Sequence, residues 1–521
     1  MFTLINPPGI QSNFFLQAQS PKPPLGLAFL AGTLEKLKAE YHLIDAAGLA
    51  LDRLEPIPNQ KGLMQVGLSL DEIVDKIHPK TACIGISALF SILWPATRDL
   101  SYLIREKFPN VPIVFGGEHA NSLPEECLRT SAITHIATGE GEGIVAEIVK
   151  NQYKNLNSID GLCFIENGIF KANPRRARLE LNKMPKPNWS QIPLENYWMD
   201  GTTQGTYRGR SLPILATRGC PYECTFCTSP NMLGKRYIKR PPTEVADEME
   251  HWIEKYKIDN FDFCDLTAVV NRRWTKDLCN EIINRGLNIS WQMPQGTRSE
   301  AFDDELSDLL YKSGCRNFGF APETGDAETL KLIKKQVNIE KMRIAIRSAV
   351  KHKLNVSCFL VYGFPKDTKK SLRQSIILAR KFAVWGVDDI AVNRFTPYPG
   401  TELAEYLKNR GKIILDDDFF YLGASLRSSV SATYTEFISQ KYLNFMMIYT
   451  YINFYGLSFI LRPHRMIWNF IKLFKFGIEE TSYVKHFVVI LQRSSFLNLT
   501  RKFSKLHRAS HSKSSPKNFI G

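Results

Sequence analysis

Residues 212–230, LPILATRGCPYECTFCTSP, run from an apolar stretch straight into a loop that holds Cys220, Cys224 and Cys227. Three thiolates spaced C-x3-C-x2-C hold three irons of a cubane iron-sulfur cluster and leave the fourth open to a substrate or cofactor. A structural zinc site takes four ligands, and a cluster that only carries electrons is closed by four cysteines. The next cysteine here, Cys264, comes almost forty residues later. The loop therefore reads as a cluster with one open iron, against a zinc or purely structural alternative.

Beyond the loop the chain alternates strand-like and helix-like segments. Apolar, β-rich runs at 212–217, 260–265, 289–293, 317–321, 355–362 and 388–394 read as buried strands. Amphipathic helices lie between them. In EVADEMEHWIEKYKI, Val245, Met249, Trp252 and Tyr256 share one face. In DDELSDLLYKSG, acids suit the positive helix N-terminus and Gly314 marks the stop. Six strands each followed by a helix predict a parallel α/β sheet, a partial TIM-like (β/α)6 barrel with the cysteine loop after its first strand.

The cysteine spacing, Phe226 just before the last cysteine and the apolar strand leading in resemble the radical S-adenosylmethionine (SAM) superfamily. The resemblance implies a [4Fe-4S] cluster held by Cys220, Cys224 and Cys227, with SAM chelated at the open iron and cleaved to a 5'-deoxyadenosyl radical. NFGFAPETG (317–325) is similar to the segment in which a Glu, here Glu323, meets the polar groups of SAM. Arg298, in WQMPQGTRSE, stands where that superfamily often turns a side chain to the methionine carboxylate. CFLVYGFP (358–365) resembles the segment whose backbone accepts the adenine edge, with Gly363 allowing close approach. NRFTPYPGTEL (393–403) resembles the sixth-strand end of the same enzymes. Taken singly, each of these is a barrel-rim turn.

The first 150 residues have a separate pattern. FTLINPP, PPLGLAFLAGTLEKLKAE, HLIDAAG, ACIGISALF, PIVFGGEHANSLPEE and HIATGEGEGIVAEIVK alternate β with α as in a flavodoxin-like, doubly wound sheet. Such sheets bind ligands at the carboxyl ends of their strands. Those ends carry Gly48, Ser87, Gly116, Gly117, Gly139 and Gly141, which suit close backbone approach to a large cofactor. The alternative is a plain scaffold with ordinary glycine turns. Ahead of a radical SAM barrel, however, the phrases NPPG, PPLGLAFLAGTLEK, GGEHA and TGEGE resemble the cobalamin-binding (B12) radical SAM class, which implies that these six residues face cobalamin. No His lies in an Asp-x-His-x-x-Gly motif, so the resemblance implies cobalamin without a protein His ligand. His119 reads as a packing or hydrogen-bonding residue rather than a cobalt ligand.

A chain of 521 residues with 44% hydrophobic content holds three or four domains. The expected division is a cobalamin-binding domain at 1–155, a connector at 156–205 with a hairpin in GLCFIENGIFKAN, and the barrel at 206–430. A helical cap at 431–500 and a basic disordered tail at 501–521 complete it. Ten cysteines without a regular framework, and MFTLINPPGI without a basic n-region, predict a cytoplasmic protein. Residues 442–461 run twenty positions without a charge yet contain Asn444, Thr450, Asn453 and Ser458. MIWNFIKLFKFG comes next, with aromatics alternating with Lys472 and Lys475. A packed cap, a peripheral contact at the inner face of the membrane and a true span all stay open. Net charge is +15, but no RNA-binding module accompanies it, and anionic lipid or a carboxylated macrocycle explains it as well as nucleic acid.

The resemblance implies hydrogen abstraction from an unactivated carbon, then methyl delivery from methylcobalamin to a hydrophobic or macrocyclic small molecule. An external electron donor of flavodoxin or ferredoxin type is implied too. The alternative is a radical oxidoreductase or cyclase of the anaerobic porphyrin-ring type, without methyl transfer. A cobalamin-sensing module with a degenerate barrel fits poorly with three intact cluster cysteines.

Overall fold

The computed structural model describes residues 1–12, 21–181, 184–422, 433–476, 481 and 483–484. The chain divides into two compact units. One joins Met1–Asp200 with Gly219–Ile238 and Thr396–Ser431; the other joins Gly201–Arg218 with Lys239–Phe395 and Ala432–Gly521. The cysteine loop thus clusters with the N-terminal residues, a division that sequence boundaries at 155 and 206 do not follow.

The first unit is built on a seven-stranded sheet. Its strands are β1 (Phe2–Asn6), β2 (Tyr41–Asp45), β3 (Cys83–Ser87), β4 (Ile113–Gly116), β5 (His135–Ala137), β6 (Leu162–Glu166) and β7 (Ile169–Ala172). Their order is β7-β6-β5-β4-β3-β1-β2, with β1 to β5 parallel, β6 antiparallel to β5 and β7 antiparallel to β6. The parallel part has the flavodoxin-like order, which reverses between β1 and β3. Phe2, Ile5, Ile84, Phe115 and Ile136 are fully buried, because helices on both faces of a parallel sheet leave its strands no wet side.

Residues 156–205 are more than a connector. Asn167 and Gly168 both have positive φ, 51° and 78°, which makes a two-residue hairpin turn of the kind that matches strand twist. The hairpin adds β6 to the edge of β5, so it extends the sheet. Farther on, Tyr197 donates its hydroxyl hydrogen to Asp45 at 2.9 Å and Asn188 donates to Glu35 and Tyr41. These residues are strapped to the sheet's own helices and strands.

The second unit carries β8 (Ser211–Ile214), β9 (Asn260–Phe263), β10 (Ser290–Thr297), β11 (Cys315–Glu323), β12 (Asn355–Tyr362) and β13 (Asp389–Arg394). They pair in sequential order, all parallel, with β8 and β13 as the edges, which is an open six-stranded barrel wall. Each of the six expected strands is present. Helices α1 (Pro242–Tyr256), α2 (Arg272–Asn284), α3 (Asp304–Lys312), α4 (Ile339–Lys351) and α5 (Lys369–Trp385) alternate with them. In α1, Val245, Met249 and Trp252 are buried as their spacing requires, and Lys257 ends the helix in the left-handed region. Side chains of Asn271, Asp303, Asn338 and Thr368 cap α2 to α5 by accepting from the third backbone N–H of each helix. Gly314, at φ +94°, follows α3 where the sequence put its stop.

After the barrel come α6 (Gln440–Leu461) and α7 (Pro463–Phe476). Among the described residues no helix is long and apolar enough to cross a membrane. The polar residues that make α6 a poor span face the barrel. Thr450 bonds Tyr362 at 2.9 Å, Tyr451 accepts from the Val392 N–H at 2.9 Å, and Asn453 accepts from Arg380. The expected disordered tail lies outside the described residues, as does most of the cap beyond α7.

Gly117, just after β4, has φ +125°, and a Cβ there would stand 2.0 Å from the Ala88 carbonyl oxygen. Gly117→Ala is expected to destabilise the first unit by about 3 kcal/mol or more, since a glycine-only conformation and an overpacked contact add. A urea unfolding midpoint within error of the parent would refute this.

Candidate functional site

The ligand edge of the first sheet is set by the carboxyl ends of β1, β3 and β4. At the end of β2, Asp45 is fully buried and accepts from Asn6 at 2.8 Å, from the Gly48 N–H at 3.1 Å and from Tyr197. Burial raises its pKa and these bonds oppose the rise. A Cβ on Gly48 would meet Asp45 at 2.4 Å and Tyr197 at 2.7 Å, and one on Gly117 would meet Ala88. Both glycines therefore serve the packing of the chain itself. Gly141 and Gly116 are less tight, with nearest atoms at 3.2 Å from Leu30 and 3.6 Å from Ala137. Gly139, at φ +85°, faces open space on its Cβ side. Ser87 ends β3, beside the strand reversal. Just past it, Leu89 and Phe90 are 51% and 52% exposed. An open glycine and two uncovered apolar side chains at a strand-order reversal fit a large ligand with an apolar face, as a corrin has. Leu89 and Phe90 escaped the sequence reading, although ISALF places them directly after a strand.

The cysteine loop is tied to this edge. The Glu118 side chain hydrogen-bonds that of Thr228, the residue after Cys227. Asn121 donates to the Asn231 carbonyl at 3.2 Å and accepts from the Gly139 N–H at 3.1 Å. The carbonyl of Thr225 accepts from the Leu403 N–H at 3.0 Å, and the Asn231 amide donates to the Gly400 carbonyl. Phe226 sits between Thr225 and Cys227 in this braced stretch. Cys220, Cys224 and Cys227 are all partly exposed, as is Cys264, whereas Cys83, Cys127, Cys163, Cys279, Cys315 and Cys358 are buried. Among the described residues no three His, Cys, Asp or Glu groups converge on a single ion. A cubane takes one thiolate on each of three separate irons, so three accessible thiols on one loop fit it.

Glu118 is buried, and one of its carboxyl oxygens has no hydrogen-bond partner. Burial pushes its pKa up to about 7, with the Thr228 bond pulling the other way. His119 is fully buried, stacked on Trp94 at 5.0 Å and edge-on to Phe420 at 5.2 Å, with Nδ1 3.0 Å from the Ser91 hydroxyl. Burial drives its pKa down to about 3, so the ring is neutral. It packs, as a lone loop histidine is expected to.

In the second unit the strand entering the loop is fixed by Asp265, which the sequence reading passed over. Its buried carboxylate accepts from the N–H of Ala216 at 3.3 Å, from the N–H of Thr217 and from the Thr217 hydroxyl at 2.5 Å. Burial raises its pKa to about 6 against those bonds. At the end of β11, Glu323 is buried with φ +68°, and its carboxylate pairs with Lys335 at 2.6 Å. A buried non-glycine residue in that region costs on the order of 1–3 kcal/mol and recurs at ligand sites. Arg298 follows β10 directly, mostly buried and 3.6 Å from Glu300. Gly363 follows β12 at φ +92°, but its N–H is held by Asp367 at 2.8 Å and a Cβ there would stand 3.0 Å from Leu443 of α6. The close approach at this glycine is therefore made by a helix. Glu323 and Arg298 lie on the carboxyl side of neighbouring strands, where barrel chemistry sits.

Because the folded protein keeps Glu118 protonated where the unfolded chain ionises it, folding takes up a proton. The stability this gives is present at low pH and is lost as pH rises from about 4.5 towards 7. His119, neutral in the fold, contributes the opposite slope below pH 6.5, so the effect is read as a difference: Glu118→Gln should gain melting temperature relative to the parent as pH rises over that window. Equal slopes in parent and variant would count against a buried carboxyl here.

Residues 15–149 match the B12 binding domain family and residues 214–379 the Radical SAM superfamily. An uncharacterized methyltransferase of Pyrococcus horikoshii is 28% identical over 388 residues, 74% of this chain and 78% of that protein. Cytidylyl-2-hydroxyethylphosphonate methyltransferase of Streptomyces wedmorensis is 28% identical over 371 residues, 66% of this chain and 69% of that protein. Anaerobic magnesium-protoporphyrin IX monomethyl ester cyclase of Synechocystis sp. is 26% identical over 403 residues, 76% and 74% of the two chains. The solved structure of the cobalamin-dependent S-adenosylmethionine radical enzyme OxsB shares the fold, with TM-score 0.63 at 14% identity, covering 98% of this chain and 82% of that one. A doubly wound B12-binding sheet followed by a radical SAM barrel makes the chain a member of the cobalamin-binding radical SAM enzymes, whose cofactors are a [4Fe-4S] cluster, SAM and cobalamin.

Proposed function

We propose that the chain is a cobalamin-dependent radical SAM methyltransferase that methylates an unactivated carbon of a hydrophobic small molecule. One observation supports this most: Glu118 and Asn121, on the loop after β4 of the B12-binding sheet, bond to Thr228 and Asn231 at the exit of the cysteine loop. Methyl transfer from cobalamin needs the corrin edge and the cluster within reach of one substrate, and a single compact unit holds both sets of residues. The named methyltransferases among the relatives favour the same reaction.

Together the three cofactors supply one-electron cleavage of SAM, hydrogen abstraction and a transferable methyl group. The chain's part is to place them. Cys220, Cys224 and Cys227 would hold the cluster, with Asp265 fixing the backbone ahead of the loop, the Leu403 N–H fixing it at Thr225 within the loop, and Glu118 and Asn121 fixing it behind. Glu323 and Arg298, at neighbouring strand ends, would meet the amino and carboxylate groups of SAM. Ser87, Gly116 and Gly139, with Leu89 and Phe90, would line the corrin. An external donor of flavodoxin or ferredoxin type would supply the electron. The cyclase relative, similar over three quarters of the chain, favours ring oxidation without methyl transfer as the second reading.

Turnover with SAM deuterated in its methyl group separates the two. Methyl transfer should yield a product carrying all three deuteriums; an oxidised product without label would replace the first reading by the second. Replacing Cys220, Cys224 or Cys227 by Ala should remove cluster iron and SAM cleavage together, and cleavage by the triple variant would end the assignment of the loop. Glu323→Gln keeps volume and a partner for Lys335 while removing the charge, and should weaken SAM binding by about tenfold, roughly 1.4 kcal/mol. Unchanged affinity with an intact cluster would return Glu323 to a purely structural role.

A further inference from the structure

Helix α6 is apolar on both faces. Its packed face buries Leu443, Met446, Met447 and Phe454, and among them Asn444, Thr450, Tyr451, Asn453 and Tyr455 hydrogen-bond to the barrel or to α5. Its outward face carries Phe445, Ile448, Ile452, Gly456 and Phe459, spaced three or four apart over about four turns, with Ile460 next to Phe459. Ile452 is 63% and Ile460 75% exposed, and Lys441 is the only charged residue on that face. Helix α7 repeats the pattern with Ile467, Trp468, Ile471 and Phe474, the last 69% exposed. A helix face in water ordinarily carries charge; two successive helices with continuous apolar stripes do not meet water alone.

The charge of the chain says what meets them. Residues 440–521 hold 13 Lys and Arg against two Glu, so net +11 of the chain's +15 lies in its last 82 residues. A second copy would bring the same positive charge to the contact. An apolar protein groove would not call for this charge. An anionic bilayer takes both: apolar side chains enter the boundary of headgroups and acyl chains, and Lys and Arg meet the phosphates. The uncharged stretch does not span, since no described helix is apolar enough.

We infer that the outward faces of α6 and α7 form a monotopic docking surface for anionic membrane, with the helices lying in the interface. The inner face of α6 meets the carboxyl ends of β12 and β13, through Leu443 at Gly363, Thr450 at Tyr362 and Asn444 at Arg394. One helix therefore touches both the bilayer and the barrel mouth. Resting on the hydrophobic substrate proposed above, this makes α6 the route by which a lipid-dissolved substrate reaches the barrel without crossing water.

The test uses the full chain, loaded with its cofactors, and sedimentation with phosphatidylcholine vesicles, with or without phosphatidylglycerol. The parent should bind the anionic vesicles at least about tenfold more tightly than the neutral ones, and lose most of that preference near 1 M salt, where the Debye length is about 3 Å. Ile452→Glu combined with Trp468→Glu should abolish binding while leaving SAM cleavage to 5'-deoxyadenosine and the melting temperature unchanged. Equal binding to both vesicle types, or none, overturns the inference. A large fall in melting temperature would show that the chain covers the face itself. A parent dimer turned monomeric by the pair would give the face to a second copy; either result overturns it. Loss of vesicle binding with methyl transfer to a detergent-dispersed substrate retained would leave the proposed function standing and remove only the delivery route.

Discussion

A loop that offers three thiolates to a four-iron cluster cannot be held by the metal alone, so the protein must fix it with groups that are not ligands. Ahead of the loop this is Asp265, a carboxylate buried against burial's own penalty because it closes the backbone N–H groups of Ala216 and Thr217 and the Thr217 hydroxyl. An unmet N–H there would cost about 1–3 kcal/mol, comparable to the cost of burying the acid with partners. Within and behind the loop the bracing comes from side chains of the GGEHAN segment and from the backbone of Gly400 and Leu403. The residues that make the loop a site are thus drawn from three distant stretches of chain.

That distance explains which parts of the site were legible. The cysteine spacing, the six strands and the amphipathic α1 and α3 are local patterns, readable within about fifteen residues. Asp265 lies 48 residues from Thr217 and Asn121 lies 110 from Asn231, and no local pattern announces either pairing. The glycines show the converse. Six residues at strand ends suited a cofactor equally well on paper, yet Gly48 and Gly117 are there for Asp45, Tyr197 and Ala88, while Gly139 alone has open space. Glycine reports that something comes close; only packing tells whether it is ligand or chain. The hairpin at Asn167–Gly168 was visible, but its docking on β5 was not, because an exposed edge can take any strand of suitable register.

Glu323 combines two features that stability alone would not keep. Its left-handed backbone costs free energy, and its buried ion pair with Lys335 offsets desolvation without a net gain that a well-packed apolar pair would not match. Both sit at the carboxyl end of a central barrel strand, where strain and buried charge are found when a ligand is to be met. The sequence placed Glu323 by resemblance, and the geometry supplies an independent physical reason to expect a role there. Lys335, twelve residues on, belongs to the same arrangement and carried no local signal.

The polar residues scattered through 442–461 looked, in sequence, like damage to a membrane segment. In the folded chain they hydrogen-bond inward beside buried Leu443, Met446, Met447 and Phe454, and a second set of apolar side chains points outward. A helix that is apolar all round gives periodicity no single inward face, and the hydrogen-bonding side chains mark which face is packed. The outward apolar face bears on the charge. The basic stretch 501–521 contains two aromatics, Phe503 and Phe519, too few to stack bases along its length, whereas the chain shortly before it holds two helices dense in exposed aromatic and aliphatic side chains. Positive charge that follows uncovered apolar surface so closely in sequence is the pairing that a lipid headgroup region satisfies and a nucleic acid backbone does not.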